Sequence, residues 1–294
     1  MELYLLAVVV GVGFGCLARF RLLRTDFRQY PTYPQGRFIH LSLGFIAAFI
    51  GAVAVPSVLD SNWTAVTFLG LAATQFREVR KMERDTLEKI DEDELVKRGS
   101  PFIEGMAQAF ESRNYLVMFT SLVTTLLTVF SIWLGIVGGF IMLFIVKRNM
   151  SGMILSSIAD VKEGEIRFEG PNLYVSDIHI KNVGLEETRQ LIQDRAVGVI
   201  VIPKGEDSIV TLSHLGQRQA MLHQVATVLG SYLDSGEPSL LPLSKRNMND
   251  GRIGLFMMPQ ERDFKQIKTV LEHVPVLDSA IRLPSEADKG KGKR

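Results

Sequence analysis

Apolar and charged positions divide this chain into two parts built for different solvents. From Asn114 to Val146 no side chain is charged, and Arg113 and Lys147-Arg148 close the window at its two ends. An uncharged run of this length, rich in Leu, Ile, Val and Phe, reads as membrane. Three windows precede it: Leu3 to Ala18 and Ser61 to Phe76 are uncharged, and Phe38 to Leu59 holds only His40 among groups that titrate near neutrality. After Arg148 charges recur every few residues, and no window approaches the ~18 apolar residues of a span. The pattern predicts a multi-span α-helical membrane domain over 1–150, a soluble α+β domain with a mixed sheet over 151–284, and a basic, disordered tail over 285–294.

As one helix, Asn114 to Val146 would run to roughly 50 Å at 1.5 Å per residue, well beyond a hydrocarbon core of about 30 Å. Two short helices turning near Phe130 to Trp133 fit better and put Trp133 at an interface. The expected spans are therefore about five in number, over 3–19, 38–59, 61–77, 115–131 and 133–147. Between the third and fourth, the mixed charges of 77–98 predict a solvated cytoplasmic helix, with Glu78 near Lys81 and Asp85 near Lys89 at helical spacing. Gly99-Ser100-Pro101 stops it and starts a second helix over 101–114.

In the soluble part, Ile166 to Glu169, Leu173 to Val175 and Ile178 to Ile180 read as short strands between turn residues. Gly184 to Arg195 reads as a helix, and Val197 to Pro203 as the clearest buried strand. Ile209 to Leu212 reads as a further strand, Gly216 to Asp234 as a long helix, and a loop rich in Ser, Pro, Gly and Asn runs on to Gly251. A strand from Ile253 to Met258, a helix from Glu261 to His273 and a strand from Val276 to Leu283 close the domain. Helices on one face of the sheet are expected.

Charge then orients the membrane part. Lys and Arg cluster after the first window (Arg19, Arg21, Arg24, Arg28), at Arg37, after the third (Arg77, Arg80, Lys81, Arg84) and at Lys147-Arg148, whereas Pro56 to Asn62 carries no base. By the positive-inside rule the N-terminus is outside and the C-terminal domain cytoplasmic, in a multi-pass protein of the cell membrane. Met-Glu at the start lacks the positive n-region of a cleaved signal, so the first segment is expected to stay as an anchor. The net charge of +1 gives no bias toward nucleic acid. Cys16 is the only cysteine, which excludes an intrachain disulfide and a thiolate cluster.

Catalytic patterns are absent from the sequence: there is no phosphate loop, dinucleotide fingerprint, HExxH or GxSxG. His214 and His223 would lie on opposite sides of one helix, which makes them poor co-ligands of a metal. No catalytic residue, metal ligand or cofactor is assigned. On the helix after Pro101, Glu104, Gln108 and Glu111 share one face beside Arg113 and Asn114, while Phe102, Ile103, Met106, Ala107 and Phe110 are apolar. That stripe is either the wet face of an interfacial helix or a binding or proton-handling site.

The string Phe102-Ile103-Glu104-Gly105-Met106-Ala107, with Pro101 before it and Gln108 to Glu111 and Arg113-Asn114-Tyr115 after, resembles the signature from which the YIEGIA family takes its name. Phe102 stands in place of the Tyr and Met106 in place of the second Ile. The resemblance implies a membrane protein of endospore-forming bacteria, linked to sporulation and the spore envelope, and supplies no catalytic residues. The expected role is a non-enzymatic scaffold or regulator acting through the cytosolic domain. Its partners would be the lipid bilayer and other membrane or sporulation proteins, not nucleic acid, and self-association into a homo-oligomer is left open. A transporter or channel component, and a membrane hydrolase using Glu104 and Glu111, are the alternatives.

Overall fold

The computed structural model describes residues 2–26, 36–149, 152–232 and 240–281. Its contacts group the chain into two units, one of Met1–Asp85 with Met106–Gly152, the other of Thr86–Gly105 with Met153–Arg294. Arg28, the 285–294 tail and the ends of the Gly216 to Asp234 helix and the Val276 to Leu283 strand lie outside the described residues.

The first unit is helical, built from α1 (Glu2–Asp26), α2 (Gly36–Leu59), the greater part of α3 (Trp63–Glu92) and of α4 (Ser100–Phe130), and α5 (Ile132–Asn149); the end of α3 from Thr86 and the start of α4 to Gly105 belong to the second unit. Among the described residues three helices are long and apolar enough to cross a membrane, Tyr4–Leu23, Gly36–Leu59 and Ser100–Phe130. The windows expected as the third and fifth spans fall on α3, which turns charged from Arg77, and on the 18-residue α5.

The helix boundaries follow local chemistry. Between α2 and α3, Ser61 takes a positive φ of 53° and the Asn62 carboxamide accepts the Ala65 N–H at 3.1 Å, capping α3. The uncharged window divides at Ser131, where α5 folds back on α4 with Gly135 against Thr128 and Gly138 against Leu127. Small residues set the packing elsewhere too: Gly15 meets Ala48, Gly51 meets the Met118 backbone, and the Ser121 hydroxyl donates to the Ala48 carbonyl at 2.6 Å.

Two expected boundaries move. The helix expected to end near Arg98 ends at Glu92, because Asp91 turns its carboxylate onto the N–H groups of Arg98 at 2.7 Å and Gly99 at 2.9 Å. The helices expected over 101–114 and 115–131 are a single helix, α4, since no Gly-Pro break or cap separates them. The pairs Glu78 with Lys81 and Asp85 with Lys89 do not form among the described residues; Asp85 instead pairs with Arg84 at 3.2 Å.

In the second unit a single helical turn, α6 (Leu155–Ile158), leads into β1 (Ala159–Gly164), β2 (Ile166–Glu169), β3 (Asn172–Val175) and β4 (Ile178–Asn182). Then come α7 (Glu186–Arg195), β5 (Val197–Pro203), α8 (Glu206–Ser213), α9 (Leu215–Leu229), β6 (Leu243–Arg246), β7 (Ile253–Met257), α10 (Phe264–Glu272) and a 3-10 turn at Asp278–Ala280. One sheet has the order β1-β5-β7-β6, the other β2-β3-β4.

Every pairing is antiparallel, so the expected mixed sheet is corrected. The reason lies in the connections. Tight turns at Gly170-Pro171 and Ser176-Asp177 join β2, β3 and β4 as hairpins, and α7 links strands of different sheets rather than parallel neighbours. The strand expected from Val276 is a bridge at Pro275 followed by the 3-10 turn. Ile209 to Leu212 belongs to α8, where Glu206 and Asp207 supply acids for a helix start.

The smaller sheet covers one face of the larger, and α8, α9 and α10 pack on it as well. Consequently β5 and β7 are buried along nearly their whole length. Leu173, Val175, Ile178 and Ile180 pack with Ile200 and Phe256 between the sheets. The approach is close because Gly164 and Gly198 stand opposite one another; a Cβ on Gly164 would lie 2.7 Å from a Val175 methyl, and one on Gly198 would run into the Gly164 carbonyl.

Gly198→Ala is therefore expected to destabilise the protein by about 1–3 kcal/mol, as overpacking does. Gly184→Ala, where a Cβ meets nothing within 4 Å, should be close to neutral. Denaturant unfolding of the two variants beside the parent checks both.

Candidate functional site

Helical periodicity gathers charged groups inside the first unit that are scattered along the sequence. Arg19 near the end of α1, His40 near the start of α2, Glu83 on α3, and Arg113 and Asn114 on α4 are all buried. The Arg19 Nε donates to the His40 carbonyl at 3.1 Å, and its guanidinium lies over the Phe110 ring, 5.3 Å from the centroid. The His40 ring packs on the same phenyl group at 4.7 Å, and its Nε2 is 3.4 Å from the Glu83 carboxylate. Gly44 leaves the volume that the Arg19 stem occupies, since any Cβ there would collide with it.

The motif residues divide by environment. Phe102, Ile103, Met106 and Ala107 are buried, as is Phe110. Gly105 is set by close approach: a Cβ would overlap the Ser279 hydroxyl and touch Leu277. Glu104 and Glu111 are half-buried and Gln108 is exposed. Arg80 pairs with the Glu111 carboxylate at 2.9 Å, so that carboxylate has a cationic partner on α3. Both polar atoms of the Asn114 amide are buried without a hydrogen-bond partner among the described residues.

Arg19, His40 and Glu83 were not assigned to any site from sequence. Arg19 reads as one more flanking base and Glu83 as one more charge in a solvated run. His40, alone in an otherwise non-titrating window, was the available signal.

The second unit carries a different site. Residues 93–99, between α3 and α4, form a strap held by the Asp91 carboxylate and by Arg98, whose guanidinium pairs with Glu94 at 3.3 Å and Asp91 at 3.7 Å. The His223 Nδ1–H of α9 donates to the Val96 carbonyl at 2.6 Å, and Nε2 faces the Thr227 hydroxyl at 3.2 Å. Strap, α9 and β6 enclose a cleft of about 590 Å³, with Leu95, Val96, Leu215, Leu222 and Leu243 among its apolar walls. Lys181, half-buried above the Phe256 ring at 4.4 Å, donates to the Leu241 carbonyl at 3.3 Å, and burial lowers its pKa to about 8. Among the described residues no group of His, Cys, Asp and Glu is arranged to hold a metal ion.

The family model described as YIEGIA protein matches residues 7–287. The chain is 47% identical over 294 residues to "Uncharacterized protein YphB" of Bacillus subtilis (strain 168), covering 100% of this chain and 99% of that protein. No solved structure matches.

Burial lowers the His223 pKa from its ordinary 6.5, outweighing the Val96 carbonyl, which raises it. A depressed folded-state pKa means that the unfolded chain binds the proton first. The stability from neutral His223 is complete above about pH 6.5 and is lost as pH falls through the lower folded value. Thermal unfolding midpoints should decline between about pH 7 and about pH 5, and His223→Gln should flatten that decline.

Proposed function

We propose that this chain, which belongs to the YIEGIA family, is a multi-pass membrane protein that holds its C-terminal domain in the cytoplasm as a non-enzymatic scaffold or regulator. The observation that carries this reading is the surface of the helical unit. Phe38, Phe68, Phe130, Trp133, Phe140 and Phe144 are each more than half exposed, an apolar exposure that lipid would cover. Trp63 and Trp133 stand at the ends where α2 turns into α3 and α4 into α5, while Arg19, Arg80, Lys147 and Arg148 lie toward the opposite ends of their helices. Aromatic groups at one interface and bases at the cytoplasmic one match the positive-inside rule.

Five crossings, with the N-terminus outside, satisfy this distribution, α3 and α5 supplying the third and fifth. The resemblance of the motif supports a role in sporulation and spore envelope formation, and other membrane or sporulation proteins would be the partners of the cytoplasmic domain. Copurification of such a partner in a manner that depends on residues 150–294 tests the scaffold. A reporter fused after Arg148 is expected to be cytoplasmic and one at Asp60 external; an external Arg148 fusion overturns the five-span arrangement.

A second reading, a transporter or channel component, is favoured by the buried Arg19, His40 and Glu83, because ionisable groups inside helical membrane units tend to mark pathways or relays. Ion flux in proteoliposomes that is lost on Glu83→Gln would establish it. The hydrolase reading has less support, as Arg80 occupies Glu111.

The motif has its own test. Glu104→Gln keeps shape and removes charge, and is expected to impair spore formation without lowering the amount of protein. Wild-type sporulation for both Glu104→Gln and Glu111→Gln would remove the stripe from the functional assignment.

A further inference from the structure

Two matched stripes run along neighbouring helices of the first unit, and each ends in a base. Gly11 of α1 meets Thr125 of α4 and Gly15 meets Ser121, so α1 and α4 run in opposite directions. α5 turns back on α4, with Gly135 against Thr128, and therefore runs in the same direction as α1, against which it packs. Phe14 fixes the register of this parallel pair: its ring fills the space beside Gly139 and meets the Phe140 ring edge-on, with centroids 5.3 Å apart.

Seven residues make nearly two full helical turns and a rise of about 10.5 Å, and parallel helices advance by it together. Arg21 stands seven residues after Phe14, and Lys147 stands seven after Phe140. Both bases therefore return to the faces of the two rings, at one level, where the seam between α1 and α5 ends. Each is exposed, and among the described residues neither forms an ion pair with an acid. One turn before them lie Leu17 on α1 and Phe144 on α5, which with Phe140 are each more than half exposed. The C-terminal carbonyls of the two helices draw bases toward this level, but they do not account for the bare apolar strip that adjoins them.

We infer that the α1–α5 seam holds one anionic phospholipid, its phosphate between Arg21 and Lys147 and an acyl chain along Leu17, Phe140 and Phe144. The guanidinium offers paired N–H donors to the phosphate oxygens, and the ammonium adds a compact charge. The strip commits the site to a lipid, because a free phosphate would leave it uncovered. Bases beside an apolar helix surface are the arrangement that an anionic headgroup seeks. The inference rests on the reading of the helical unit as membrane-embedded and names the lipid class which that unit engages.

The test places the full chain in nanodiscs of phosphatidylcholine and phosphatidylglycerol in equal amounts, and native mass spectrometry counts the lipids it retains. One phosphatidylglycerol per chain should be kept in preference to phosphatidylcholine. Its apparent affinity should fall about 5-fold in Arg21→Gln and in Lys147→Gln, and about 25-fold in the double variant. Arg21→Lys, which keeps the charge, should retain the lipid. Arg77→Gln and Lys81→Gln remove exposed bases of α3 and should leave retention unchanged. Equal retention of the two lipids overturns the site, and so does an equal loss in the α3 variants, since that is the mark of diffuse surface charge. If Arg21→Gln fails to enter nanodiscs, Lys147→Gln decides. A parent chain that stays in solution once detergent is removed refutes the membrane reading itself and this site with it, whereas a chain that inserts without lipid preference refutes the site alone.

Discussion

A guanidinium withdrawn from water has to be resolvated by the protein around it, and in the helical unit Arg19 imposes that demand. The answer comes from two other helices. The first turns of α2 give the His40 carbonyl, α4 gives the Phe110 face, and the missing side chain of Gly44 gives the room. His40 is fixed in turn by the same phenyl ring and by Glu83. Phe110 thus serves two polar partners at once. The buried end of the unit is specified by polar contacts, while its remainder, from Phe14 and Ala48 to Val117 and Leu143, is packed by apolar groups and small residues.

The C-terminal domain meets its constraint in the opposite way, by removing side chains. Two sheets that face one another ordinarily stand about 10 Å apart, and Gly164, Gly198 and Gly254 clear the surface on which Val175 and Ile178 come down. Leu173 and Ile180 then complete the layer with Ile200 and Phe256. The clefts and charged groups of the domain lie around this dry centre. The strap at 93–99 is secured to α9 through a histidine whose protonation is opposed by burial.

What the sequence makes legible is whatever depends on local pattern. The uncharged windows are helices because length and hydropathy suffice to define them, and Val197 to Pro203 is a strand because its run of β-branched residues has little other use. Burial of isolated charges was not legible: nothing near Arg19 or Glu83 distinguishes an inward-facing side chain from a wet one, since the partners are contributed by other helices. β6 escaped notice because Leu243-Ser244-Lys245-Arg246 has no apolar alternation. Ile209 to Leu212 misled because a short apolar run suits either state, and the acids before it were the better guide. Of the candidate site, the spacing that groups Glu104, Gln108 and Glu111 could be read directly, but the Arg80 partner of Glu111 and the burial of Asn114 could not.

The open sides of the larger sheet have a bearing on how this protein behaves when it is made in quantity. Its order leaves β1 and β6 at the margins, where unpaired backbone groups would invite strands from other molecules. β1 carries exposed Asp160, Lys162 and Glu163, and β6 carries exposed Lys245 beside Arg246. Bringing a second strand alongside would bury those charges, so each margin resists aggregation by the cost of dehydrating its own side chains. The same polarity that hides β6 from pattern reading opposes edge-to-edge pairing, and exchanging these charges for β-branched residues would trade a guarded margin for an adhesive one.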